Sequence, residues 1–472
     1  MDDSRQVIAK IPFPNAGPAR LLTCSEVATM DFLCTRLGAP VPSASKDNPI
    51  GCEYIIMELC EGTAFAEQEY ISTTVLKEIA ISQMHLSDIP FSQYGSIFYT
   101  QDVSPELQSR PLYSGDFAEE EFRIGPSVER RFYRSERAHV ELDRGPWKDI
   151  YSYIRAIAAC EIDWIRAHSG SPAAQEQLGA HHTPEEHTSM LEQWLSLAPA
   201  VLPQDPQLLS PTLMHPDLHG INIMVKPAIS PADSDTISII DWQGTTSVRP
   251  LFESVLPTCL TVDPADLRFV KLSKNLDPPT APDVSGLDTD QQAVVECELG
   301  RITMMKHHLR KIAEIRPALY LAMQSEHALW LRHALYFSSH TWSDGLPNLT
   351  QTLVKMCAEY GGTIPVHEDY PHCPISFSPE DDEARERDLQ RVVGLEAQLE
   401  YLVQKKMKES GIILHTGGLV SAEDFDLAKK IDGEYFAEMM NAGDMDAKAV
   451  ERLRSIWPTR PGRFDFAVES CV

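Results

Sequence analysis

Three oxygen-bearing side chains stand at fixed stations between Leu213 and Gln243, a stretch reading L-M-H-P-D-L-H-G-I-N-I-M-V-K and, after a Pro/Ser/Asp loop, I-S-I-I-D-W-Q. Asp217 and Asn222 lie five residues apart, and Asp241 ends the apolar run Ile237–Ile240. A hard cation such as Mg²⁺ takes one or two carboxylate or amide oxygens and fills its shell with phosphate and water oxygens. Asn222 and Asp241 can supply two such oxygens, which leaves Asp217 free to take a proton. These roles need elements that bring distant residues together. The runs Ile223–Val225 and Ile237–Ile240 are rich in Ile and Val and bounded by turn signals, so they read as a hairpin. That hairpin would carry Asn222, just before its first strand, close to Asp241, just after its second. The competing reading is a polar hairpin with unrelated acids.

The pattern H-x-D-L-H-x-x-N followed by I-I-D-W resembles the aminoglycoside phosphotransferase family. In protein kinases the related signature is H-R-D-x-x-x-x-N followed by D-F-G. His215, Asp217 and Asn222 keep the first spacing, and Asp-Trp stands in place of Asp-Phe-Gly. The resemblance implies an α+β, bilobal protein-kinase-like fold with a small β-rich N-lobe and a large, mainly helical C-lobe. It also implies that Asp217 is the catalytic base, that Asn222 and Asp241 hold the metal, and that His215 and His219 brace the loop.

Residues 5–11 form a compact apolar run that stops at Pro12 and reads as a strand carrying Lys10. It looks like the V-A-I-K strand of kinases, whose Lys contacts the α and β phosphates. A helical pattern then begins at Ser25 with Val27, Met30 and Leu33 on one side, and Thr23 or Ser25 can cap it. Glu26 is the candidate ion-pair partner of Lys10; a solvated lysine and a first-turn glutamate that suits the helix dipole are the plain alternative. The run Glu53–Leu59 reads as a strand followed by Cys-Glu-Gly. By resemblance it leads into the hinge, with Met57 facing the purine and Glu58 to Cys60 offering backbone groups. Only nine residues precede Lys10, too few for the phosphate-covering hairpin of a kinase-like N-lobe. The small lobe is therefore expected to be incomplete, and either an upstream segment precedes Met1 or the lid is missing.

Further along, Glu67–His85 reads as an amphipathic helix, residues 90–147 as a turn-rich solvated loop of mixed charge, and Lys148–His168 as a helix. The segment 115–147 resembles an insertion of fungal relatives of the family, including the mitochondrial-inheritance type. His181, His182 and His187 read as solvated histidines, with Thr188–Leu197 a short helix after them. Asp288–Ile315 and Pro317–Ser339 are strongly helical. After Pro374 the composition turns charged, with helices expected from Pro379 to Gly411 and from Ala422 to Met440. The expected domains are 1–62 (N-lobe), 63–377 (C-lobe with the catalytic hairpin 213–243) and 378–472 (a charged helical extension).

Composition bounds the partners. Of the 472 residues 43% are hydrophobic and 23% charged, which is ordinary for a globular protein, but the net charge is −28. Such a surface repels nucleic acid and anionic membranes. The ten cysteines include no C-x-x-C pair, so reduced thiols in an intracellular, cytoplasmic protein are expected. A mitochondrial location follows from the resemblance if an N-terminal segment precedes the chain. No membrane span is expected, and the sequence does not speak to oligomeric state. The reading is a phosphotransferase that moves the ATP γ-phosphate, with Mg²⁺, to a hydroxyl of a small-molecule acceptor. The alternative is a catalytically impaired scaffold that keeps the fold without the lid.

Overall fold

The computed structural model describes residues 6–12, 17–41, 54–67, 73–115, 118–171, 182–215, 217–228, 230, 234–242, 247–257, 260–261, 271–272, 276–282, 284–286, 288–344, 346–389, 395–412, 424–441 and 457. The architecture is α+β, with antiparallel sheets and many helices. By contact density the chain forms two compact units. One comprises residues 1–134, 144–153 and 205–329, the other 135–143, 154–204 and 330–472.

The first unit contains all the strands among the described residues. Strand β1 (Val7–Lys10) pairs antiparallel with β2 (Ile55–Glu58), setting Lys10 opposite Ile55 and Ile8 opposite Met57. Between them runs helix α1 (Ala19–Leu37), which stops at Gly38. Gly38 takes φ 58°, in the left-handed region glycine reaches without strain, and its N–H caps the Cys34 carbonyl at 3.2 Å. The helix starts six residues before the expected Ser25. Thr23 and Ser25 are buried inside it rather than capping it, because Leu22 extends the apolar stripe into a cluster with Phe98, Val103 and Val128.

Strand β3 (Thr63–Ala64) leads to α2, described over Thr73–Ser87; residues 68–72, where the expected helix has its first turns, lie outside the described ones. The segment expected to be a solvated loop is instead structured. Strands β4 (Gly95–Tyr99) and β5 (Phe122–Gly125) pair within it, and the residues after β5 are buried. Ser127, Val128 and Phe132 are sealed from solvent, and Glu129 is 4% exposed. Mixed charge misled the sequence reading because opposite charges neutralise one another inside the fold. Arg131 meets Glu129 at 2.9 Å, Arg249 meets Glu253 at 3.0 Å, and Tyr153 donates to Glu253 at 3.0 Å and to Glu129 at 3.2 Å. Burial alone would lift the Glu129 carboxyl, but Arg131 and Arg249 hold it below the ordinary glutamate value.

Strand β6 (Pro211–Met214), the hairpin strands β7 (Ile223–Lys226) and β8 (Thr236–Ile239), and β9 (Ser247–Pro250) complete the sheets. Their orders are β3-β7-β8 and β5-β4-β9-β6, every pairing antiparallel. The main core draws on α1, α2, the hairpin and the helix α5 described below, with Phe32, Ile79, Ile97, Ile223 and Leu309 almost wholly buried.

Helices make up the rest. Helix α3 spans Ile150–His168 and α4 spans Pro184–Val201. The latter is longer than Thr188–Leu197 because Thr183 and Glu186 form a capping box at its start. That start turns His187 inward, where it is 0% exposed against Trp342 at 5.1 Å, so the expectation of a solvated histidine fails there. His181 lies outside the described residues. Helix α5 (Thr289–Ile315) agrees with the expected span, whereas Pro317–Ser339 divides into α6 (Pro317–Gln324) and α7 (Glu326–Ser338). Helix α8 (Leu346–Ala358) follows, then α9 (Asp382–Leu389), α10 (Leu395–Glu409) and α11 (Phe425–Asn441). The last two pack on each other around Leu399, Val403, Met407, Ala428 and Ile431. Among the described residues no helix is long and apolar enough to cross a membrane.

Candidate active site

The hairpin sets the geometry. Its register pairs Ile223 with Ile239 and Lys226 with Thr236, and the Ile240 N–H donates to the Asn222 carbonyl at 3.0 Å. Asn222 and Asp241 therefore flank the same end of the ladder. Asp241 takes φ 60°, a left-handed backbone that costs a residue with a Cβ about 1 kcal/mol and that aspartate tolerates better than most. Its carboxylate is half exposed, at 49%.

Lys10 joins this end to β1 and α1. Its ammonium donates to Asp241 Oδ1 at 2.6 Å and to Glu26 Oε1 at 2.8 Å. Glu26 sits in mid-helix at 2% exposure, where a carboxylate without a partner would be costly. Burial works against the Lys10 charge, but Glu26 and Asp241 outweigh it and raise its pKa above the ordinary lysine value. Burial lifts the Glu26 carboxyl as well, and Lys10 offsets that only in part. The lysine reaches both acids, whereas the sequence suggested only Glu26 as its partner. The 231-residue separation from Asp241 leaves no local pattern that could announce the second contact.

The loop before β7 is held by its own backbone. His219 N–H donates to the Asp217 carbonyl and Asn222 N–H to the His219 carbonyl, each at 3.0 Å. The Asn222 amide nitrogen also donates to the Asp217 carbonyl at 3.1 Å, so its oxygen is the end that can face a ligand. His219 accepts at Nδ1 from the Ile221 N–H at 3.2 Å. Its Nε2 lies 3.2 Å from the Asn222 amide nitrogen and 3.7 Å from the Asp217 carboxylate. That carboxylate is 62% exposed and so open to a substrate. His215, 6% exposed, donates from Nε2 to the Ile240 carbonyl at 3.1 Å and stands edge-on to Trp242 with ring centroids 4.6 Å apart. Burial pushes its pKa down, which keeps the ring neutral and suits it to bracing rather than proton transfer.

The remaining expected residues lie on β2 and just beyond. Met57 is buried in the main core, Glu58 is exposed opposite Val7, and the half-buried Cys60 thiol bonds Ser238 of β8. Burial is the main cause lifting the Cys60 thiol. Two glycines that the sequence reading passed over let the backbone close in. Gly62, at φ 110°, would put a Cβ 2.2 Å from the Val225 carbonyl oxygen; a Cβ on Gly220 would lie 3.1 Å from the Ala66 nitrogen. The segment after β2 is thereby pressed against the hairpin.

As a donor set, one amide oxygen and one accessible carboxylate are hard ligands that fit Mg²⁺ bound jointly with phosphate and not a thiophilic metal. Among the described residues no three His, Cys, Asp or Glu side chains converge into a metal-holding group, so a cation here would depend on oxygens from its ligand.

No protein-family model matches the chain. It is 30% identical over 432 residues to a subtelomeric hrmA-associated cluster protein of Aspergillus fumigatus, covering 81% of this chain and 79% of that protein. It is 28% identical over 318 residues to altered inheritance of mitochondria protein 9 of Yarrowia lipolytica, covering 62% of this chain and about half, 53%, of that longer protein. Among solved structures it matches an ethanolamine kinase of Plasmodium vivax with a TM-score of 0.34 and 14% identity over 75% of this chain and 77% of that one. With identity and coverage of that extent, the chain belongs to the family of the Aspergillus subtelomeric hrmA-associated cluster protein and is a more distant relative of the fungal altered-inheritance-of-mitochondria proteins.

Proposed function

We propose that this protein transfers the γ-phosphoryl group of ATP to a hydroxyl of a small molecule. The observation that carries the reading is Lys10 held between Glu26 and Asp241 at the end of a hairpin that also presents Asn222. Phosphoryl transfer asks little covalent chemistry of a protein and much positioning and charge. Magnesium held by Asn222 and Asp241 would neutralise phosphate oxygens and orient them. Lys10 binds phosphate oxygens as a point charge, and Glu26 fixes where that charge stands. Met57 supplies apolar surface to the purine, and the backbone at Glu58 and Cys60 offers it hydrogen bonds. Asp217 accepts the proton of the attacking hydroxyl, with His219 orienting its carboxylate and His215 bracing the loop beneath. The net charge of −28 favours a neutral or cationic acceptor.

Calorimetric titration with Mg·ATP and a screen of alcohols for ADP release test this reading. Wild type is expected to bind the nucleotide and Asp241→Asn to give no heat. Asp217→Asn should retain binding but lose turnover by about 10²–10⁴-fold, the usual worth of a general base. Unchanged turnover in Asp217→Asn, or an athermal wild-type titration with folded protein, rejects it.

A further inference from the structure

Helix α8 ends at Ala358, and the chain then makes a tied excursion before returning to its own starting point. Tyr360 bridges to Ile364 and His367 to Tyr370, the Gly361 N–H donates to the Ile364 carbonyl at 2.8 Å, and the Tyr360 hydroxyl donates to the Tyr370 carbonyl at 2.5 Å. The excursion brings Cys373 back against Cys357, with the two Sγ atoms 3.4 Å apart. Both thiols are reduced and half-buried. Nothing in the spacing of the ten cysteines announces this contact, because the pair is 16 residues apart and joined only by the fold.

We propose that Cys357 and Cys373 are a built redox site that closes to a disulfide with a low-molecular-weight disulfide as oxidant. A disulfide needs sulfurs about 2.0 Å apart, so the 3.4 Å contact shortens by about 1.4 Å, within reach of small side-chain rotations. The entropy of bringing the two ends together is already met by the hydrogen bonds of the excursion, so closure competes well with attack of Cys357 on a second molecule of the disulfide oxidant. Burial, reinforced by Cys373, pushes the Cys357 thiol up and keeps it protonated near neutral pH. The Cys373 sulfur gives its proton to solvent and attacks one sulfur of the oxidant, whose S–S bond breaks and releases one thiolate. Cys357 then gives its proton to solvent and attacks the Cys373 sulfur, expelling the second thiolate. Two electrons leave the protein sulfurs and the oxidant departs as two thiols.

The bond would have a structural consequence nearby. Cys357 also faces the Ile375 carbonyl at 3.9 Å, and the next residues, Ser376–Ser378, form the wall that, with Leu346, Thr350 and Gln351 of α8, lines a cavity of about 590 Å³. Oxidation staples that wall to the helix.

The full chain, equilibrated in mixtures of oxidised and reduced glutathione, quenched in acid, alkylated and digested with trypsin, gives the test. No Lys or Arg lies between the cysteines, so both fall in the peptide Met356–Arg385. The expected product is this peptide two hydrogens lighter and unalkylated, with a thermal midpoint several degrees higher in the oxidised protein. Cys373→Ser should abolish both changes. A peptide carrying two alkyl groups or two separate glutathione adducts at every mixture overturns the proposal, as does a Cys357 bonded instead to a different cysteine. The result is independent of whether the protein transfers phosphate.

Discussion

A lysine shared by two carboxylates is the densest charge arrangement of the candidate site, and its removal strands the buried one. Lys10→Met should cost about 1–3 kcal/mol, less than a fully buried pair because Lys10 keeps 22% of its side-chain surface and Glu26 can take a proton. The double variant Lys10→Met/Glu26→Gln should recover most of that in urea unfolding at neutral pH; a double variant as unstable as the single one would contradict the account. Since the folded pKa of Lys10 lies above its unfolded value, the stability it adds is intact below the ordinary lysine value and fades as pH rises through the folded one. At this scale the sequence was legible where spacing is local. The placing of Asn222 and Asp241 at one end of the hairpin and the Lys10–Glu26 pair can be read from motif and strand–helix order. The Lys10–Asp241 contact and the thiol pair cannot, because each depends on tertiary closure. His187 was misread because its neighbours are polar, although the cap at Thr183 was there to be found.

Elements convert those residues into a rigid frame. Helix α1, which carries Glu26, is gripped along its far side by the strands of the segment first taken for loop. Phe32 packs on Phe91 and Phe122 with ring centroids 5.9 and 5.4 Å apart, Tyr99 donates to Asp31 at 2.8 Å, and Arg36 donates to Glu119 at 2.9 Å while lying over the Phe122 ring. Such a grip keeps Glu26 beside Lys10. The counterpart after β2 is Gly62, where glycine alone allows β3 to approach the hairpin. Gly62→Ala imposes a strained φ and a collision with backbone, and should cost about 2–4 kcal/mol by chemical denaturation, against about 1 kcal/mol for an alanine at Gly38, where the left-handed backbone is the whole cost because the Cβ would meet open space. Equal losses at the two sites would show that the close approach to Val225 carries no energy. The hairpin and the helices α3 to α7 were visible as patterns, the last two as one run; α8, β4 and β5 were not, and a short strand pair framed by charged turns has no strong period of its own.

For the molecule as a whole, acid is the expected weak point. Burial holds His187 and His308 at about 4 against an ordinary 6.5, and lowers His215 as well. A depressed folded pKa gives stability that is complete above 6.5 and lost as pH falls toward 4, on the order of 3 kcal/mol for each of the two deepest once charged. His187 belongs to one compact unit and His308 to the other, so both should loosen. Urea midpoints are expected to fall between pH 6.5 and about 4.5, and His187→Phe should flatten part of that fall. An identical pH slope in the variant would remove His187 from the explanation.

The charged lattice under β9 has a further implication. The strand that follows Asp241 is anchored through Arg249 to Glu129 and Glu253 and paired on both edges, to β4 and β6. Desolvated ion pairs of this kind have no second resting place of comparable energy, because moving one charge abandons the others. A strand fixed in this way does not swing into line on receipt of a covalent mark, so under the proposed function throughput would answer to how much nucleotide and acceptor surround the protein.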